Sequence, residues 1–168
     1  MNFEQIKLHL NAYKENDQII DAAKYLLYSF DMEHENFAGF GFREPSPNLV
    51  LLTTEGELGD PQTVIIPSNL FDFDLNLVLN VIAHEMLHVR QKAPGKTIED
   101  KNEREFQAYY EMLFHKNFPK IPDASDFHKK IFGEKAFEYY KRMGEGSDLQ
   151  QKYATQKVEI EQLISVLP

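Results

Sequence analysis

The sequence predicts an α+β fold, mostly helical, in which a small antiparallel sheet (a hairpin over about residues 48–67) packs on one central helix. Three observations predict it. Apolar residues recur at helical spacing along most of the chain. Two short β-rich runs, 48–54 and 63–67, flank a turn-rich connection at 55–61. The stretch 75–92 is apolar around most of its circumference, as a buried helix is.

The elements follow in order. Phe3, Ile6, Leu10 and Tyr13 give a first helix over 2–13. Asp17 is a candidate cap for a second, ending near Phe30, with Ile20, Ala23 and Leu27 inward. A polar link at 31–35 places His34 between Glu33 and Glu35. Those are metal-ligand residue types, but a solvated loop fits them better, since nothing fixes their geometry. The aromatic, Gly-rich run 37–42 is a strand or a loop against the core, and Pro45 and Pro47 mark a turn. Pro67 ends the second strand of the hairpin or puts it at an edge. Asp72 or Asp74 caps the central helix, which stops before Pro94 and Gly95. Thr97 or Asp100 opens a helix to about 116, with Phe106, Tyr110, Leu113 and Phe114 on its apolar side. A further helix is predicted over 126–143, with Gly133 a candidate break, and a helical tail over 148–167.

Composition bounds the function. The chain has 168 residues, 42% hydrophobic and 27% charged, which predicts one globular domain over 1–168 with a real core. A net charge of −9 argues against nucleic acid or an anionic membrane surface as partner. With no cysteine, a metal would have to be held by His, Glu or Asp. The first residues lack the basic start and apolar run of a signal peptide, and no apolar run approaches the roughly 18 residues of a membrane span. A cytoplasmic location is expected.

The chemistry concentrates on the central helix. Asn76, Asn80, His84, His88 and Lys92 fall four apart, one polar line along a helix that is apolar around most of its circumference. Within it His84-Glu85-Met86-Leu87-His88 is an H-E-x-x-H motif. Histidines four apart share a face, so two imidazole nitrogens can reach one ion at about 2.0–2.1 Å. Glu85 points around the helix, where its carboxylate can take a proton from a water at the ion. The plainer alternative is a pair of hydrogen-bonded core histidines. It needs several polar partners that the flanking apolar residues do not offer.

A catalytic zinc takes three protein ligands and leaves one position open. Glu105 follows His88 after a short loop, with enough chain to turn back. It is favoured over Glu103 because Ala108, one turn on, lets two helices approach, whereas Glu103 shares its side with Phe106 and Tyr110. Glu111, and the absence of a third ligand, stay open.

His84-Glu85-Met86-Leu87-His88 followed by Glu105-Phe106-Gln107-Ala108 resembles the gluzincin metallopeptidases of the thermolysin-like kind, and the short chain is similar to the single-domain minigluzincins. The resemblance covers about residues 48–116. It implies a zincin-like fold and a Zn²⁺ held by His84, His88 and Glu105. It implies hydrolysis of a peptide or protein substrate by a zinc-activated water, with Glu85 as general base. Gln91 and Pro94 exclude the branch that extends the motif with a glycine and a third histidine. The resemblance also implies that strand 63–67 is an edge that pairs with extended substrate. It calls for an aspartate buttressing the first histidine, but the residue four after Glu105 is Tyr109. It calls for an oxyanion-stabilising His or Tyr, for which Tyr109, Tyr110, His115, His128, Tyr139 and Tyr140 are candidates. Two other functions stay in view: a binding or regulatory module of the same fold without peptidase activity, and a latent peptidase covered by its C-terminal segment.

Overall fold

The computed structural model describes residues 2–168; Met1, where the amino-terminal reading begins, lies outside them. The fold is α+β, with seven α-helices and a three-stranded mixed sheet among these residues. Among the described residues no helix is long and apolar enough to cross a membrane.

Two helices, α1 (Phe3–Glu15) and α2 (Ile19–Ser29), come first. A reciprocal capping box starts α1: the Asn2 side chain accepts from Gln5 N at 2.9 Å, and Gln5 Oε1 accepts from Asn2 N at 3.1 Å. Asp17 does not cap α2. It sits at φ 56 in the turn, and Gln18 takes the cap position without a side-chain bond.

The sheet differs from the predicted hairpin in three ways. Strand β1 (Phe37–Arg43), the aromatic and Gly-rich run, pairs parallel to β3 (Gln62–Pro67). Strand β2 (Thr53–Glu55) pairs antiparallel to β3, so the hairpin exists but is short. The order β1-β3-β2 makes β3 the central strand. The reading of 63–67 as an edge is therefore corrected. Both sides of β3 are hydrogen-bonded, and its inward residues Gln62, Val64 and Ile66 are fully buried. Residues 48–52 keep the alternation of a strand, with Val50 and Leu52 buried and Leu49 and Leu51 exposed. They belong to no strand and run as a loop that bends at 47–49.

After a 3-10 turn (Leu70–Asp72) comes α3 (Leu75–Gln91), the central helix. Of the two candidate caps, Asp74 serves, accepting from Leu77 N at 3.2 Å. Helix α4 (Lys101–Phe114) is capped by Asp100, whose side chain accepts from Glu103 N at 2.9 Å. Its C-terminus is closed by His115 in the left-handed region, φ 48. Helix α5 (Asp126–Arg142) passes through Gly133 unbroken. That glycine serves an approach: a β-carbon there would meet Ile164 Cδ1 at 2.7 Å. The tail forms α6 (Asp148–Lys152) and α7 (Ala154–Ser165).

Two apolar clusters result. One unites α1, α2, the sheet and α3. The other unites α4, α5 and the tail, with Phe106, Phe132, Ala136, Tyr153 and Ile160 at its centre. Leu77 and Val81 of α3 pack against both, so the central helix lies on the seam.

Candidate metal centre

The polar line of α3 divides in two. Its first half anchors a loop: Asn80 Nδ2 donates to Asn76 O at 2.8 Å and to Pro122 O at 3.0 Å, and its Oδ1 accepts from His115 Nε2 at 2.8 Å. Its second half meets α4. His84 and His88 are buried, their rings 4.8 Å apart and nearly perpendicular. Glu105 Oε2 lies 3.3 Å from His84 Nε2, and Oε1 lies 3.3 Å from His88 Nε2. One ligand atom from each of the three residues falls within 4.8 Å of the others.

That spacing tests the donor set. Tetrahedral ligands at about 2.0–2.1 Å from an ion stand about 3.3–3.4 Å from one another. A charge-assisted N–H···O⁻ bond closes to about 2.7–2.9 Å instead. Each imidazole Nε2 stands 3.3 Å from a different oxygen of Glu105, close to such an edge length and longer than a short ion pair, and the donor types and their convergence within 4.8 Å fit a divalent cation. Burial pushes the Glu105 carboxyl upward, but hydrogen bonds from His84 and His88 and their charge hold it well below the usual carboxylate range. Burial works against the charged form of His88. Glu105 and the charge of Glu85 overcome it and raise its pKa.

The Nδ1 atoms face away from this point. His88 Nδ1 lies 2.7 Å from Gln91 Oε1, and His84 Nδ1 lies 3.2 Å from Met112 Sδ. An acceptor at each Nδ1 favours a proton there, so the Nε2 atoms, which face Glu105, are the ones that can turn to an ion. The aspartate expected four residues after Glu105 is replaced by more than one group. Tyr109 lays its ring edge-on to His84 at 4.6 Å, and the acceptor is the Met112 thioether.

Glu85 is buried beside the cluster, and the Thr54 hydroxyl lies 2.7 Å from its Oε2. Sequence reasoning placed Thr54 in a strand without giving it a role. Gln91 and Met112 were also missed. The spacing of three from His88 was the one local signal for Gln91.

The other glutamates of α4 are engaged elsewhere. Glu103 Oε1 accepts from Lys152 Nζ at 2.6 Å and from the Tyr153 hydroxyl at 2.7 Å. Glu111 accepts from Asn117 N, Asn117 Nδ2 and Phe118 N, all at 2.9–3.0 Å, and so closes the loop after α4. His34 is a turn residue, its Nδ1 accepting from Asn36 N at 3.0 Å.

Two hollows open beside the cluster. One, of about 250 Å³, is lined by Thr53, Glu85, His88, Lys92, Lys101 and Arg104 among others. The second, of about 480 Å³, is walled by Leu49, Leu51, Val81, Phe127, Ile131 and Phe132, with His84 and Glu85 at its floor. No residue beyond Lys135 lines either hollow. Of the oxyanion candidates, Tyr109 and His128 line the second hollow and Tyr139 stacks on Tyr109. Tyr110 donates to Glu159, Tyr140 to Gln150 O, and His115 to Asn80.

No family model matches this chain, and neither a curated protein nor a solved structure matches it.

Proposed function

We propose that the chain is a zinc-dependent peptidase with a zincin-like active site, in which His84, His88 and Glu105 hold Zn²⁺. One observation carries the reading. Ligand atoms of His84, His88 and Glu105, from two helices, converge within 4.8 Å of one another, with the Glu85 carboxylate one residue from the first ligand. Zinc, when bound, supplies a Lewis acid that polarises a carbonyl and lowers the pKa of a water toward about 7.

Glu85 takes the proton of the attacking water and delivers it to the leaving amine. The Thr54 hydroxyl holds one of its oxygens, so the other is aimed. The apolar hollow of about 480 Å³ beside His84 and Glu85 fits a bulky apolar side chain next to the cleaved bond. An extended peptide pairs with β2, the free edge nearest Glu85, rather than with the central β3.

The test is hydrolysis of a quenched peptide by the wild type and by Glu85→Gln, with metal content measured in both. The expected outcome is one equivalent of zinc in each and a rate lower by about 10²–10⁴-fold in the variant. Full activity in metal-loaded Glu85→Gln overturns the role of Glu85. The thioether at His84, a weak acceptor where a carboxylate is expected, favours a second reading: a binding module with no peptidase activity. Zinc bound without amide hydrolysis by the wild type selects it.

A further inference from the structure

The hydrogen bonds around His88 continue past Gln91. Gln91 Nε2 lies 3.0 Å from the backbone oxygen of Arg104, which can only accept. That contact fixes the amide. Its nitrogen donates to Arg104 O and to Gln107 Oε1 at 3.0 Å, and its oxygen accepts from His88 Nδ1 at 2.7 Å. Beyond Gln107 the direction is kept. Gln107 Nε2 donates to the Tyr153 hydroxyl at 2.5 Å, which donates to Glu103 Oε1 at 2.7 Å. Every link runs from donor to acceptor in one sense, from the imidazole to a carboxylate. The links cross from α3 through α4 to the junction of α6 and α7. Burial and the bond to Glu103 push the Tyr153 phenol up to about 12, so it is a neutral donor at pH 7.

We infer that Gln91, Gln107, Tyr153 and Glu103 form a positioning relay for His88, which locks its tautomer, presents Nε2 to the ion and ties metal affinity to the C-terminal helices. The inference rests on the metal centre proposed above. A carboxylate bonded directly to a metal-bound histidine orients the ring and raises its basicity. Here the carboxylate stands four hydrogen bonds away, and aligned bonds polarise one another along the way. His84 supplies the internal contrast, because its Nδ1 contact ends at the Met112 sulfur.

The experiment uses the full, zinc-loaded chain as wild type, Tyr153→Phe, Gln107→Leu and Tyr140→Phe. Tyr140 donates to Gln150 O at 3.1 Å, so its loss disturbs the same C-terminal helices without touching the relay. Zinc affinity is read by competition with a chelator, and solvent exchange of each histidine Nδ1–H by NMR. Tyr153→Phe and Gln107→Leu are expected to weaken zinc about tenfold or more. Both speed exchange at His88 and leave His84 unchanged, while Tyr140→Phe matches the wild type in both readouts. Should Tyr153→Phe not fold, Gln107→Leu decides. Wild-type affinity and unaltered His88 exchange in the relay variants overturn the relay alone. So does a Tyr140→Phe protein as impaired as Tyr153→Phe. A wild type that binds no zinc overturns both the relay and the proposed function.

Discussion

The two sides of α4 use the same residue type to opposite ends. On the side facing α3, Glu105 meets two imidazole nitrogens at 3.3 Å, a spacing that leaves room for an ion between them. On the sides facing the tail and the following loop, Glu103 and Glu111 are engaged by the chain itself. Fixed donors reach them at 2.6–3.0 Å. A carboxylate closed by short bonds to its own chain can act on an ion only through those partners. One held only by ring nitrogens at 3.3 Å is the one the proposed centre would use. What separates the two is donor distance, and burial does not rank them that way: Glu103 and Glu111 are buried, Glu105 less so.

The largest effect that would sharpen this contrast is on metal. Glu105→Gln is expected to lower zinc affinity by more than about 100-fold, beyond the range of outer partners. Isothermal titration checks it, and unchanged affinity breaks the contrast. The reciprocal change is Glu111→Gln. It puts an amide where four backbone and side-chain contacts want an acceptor, and costs about 2–3 kcal/mol of stability. In a chain of this size that is a fall in melting temperature of about 5–10 °C. Zinc affinity stays at the wild-type value, and a loss there would merge the two sides. A smaller effect comes from Thr54→Val, which removes the hydroxyl at Glu85 Oε2. Steady-state kinetics should show kcat down about tenfold with metal content unchanged, a loss of roughly 1.4 kcal/mol.

The smallest effect is the pH dependence of the chelated protein. The lowered Glu105 pKa contributes stability that is present above about pH 4.5 and is lost as pH falls through the folded value. The raised His88 pKa contributes stability that is present below about pH 6.5 and is lost as pH rises through the folded value. Thermal melts of the chelated wild type, referenced to chelated Glu105→Gln, should therefore show the largest difference between about pH 4.5 and 6.5. Zinc reverses the upper limb, since its ligands bind deprotonated.

What was legible in the sequence follows from local geometry. His84 and His88 could be paired because a helix puts residues four apart on one face. Ala108 pointed to Glu105 over Glu103 from the spacing along one helix, and in the fold Glu105 lies beside the two histidines. The strand order was not legible. Runs 48–54 and 63–67 carry alternation, but alternation says which face is buried and nothing about which neighbour comes to either edge. The parallel partner β1 read equally well as loop. The relay was invisible for a different reason. Gln107 and Tyr153 lie 46 positions apart, and an amide and a phenol at that distance carry no pattern until the tail folds onto α4.

The position of α3 on the seam also bears on how the molecule comes apart. Leu77 and Val81 are shared by both apolar clusters, so neither cluster can loosen without exposing side chains of the same helix to water. Local openings therefore start at elements that belong to one cluster only, such as α1 or α7. The middle of α3 is expected to be among the last backbone to open, which amide hydrogen exchange checks. His84 sits near that middle and His88 in the last turn of the same helix.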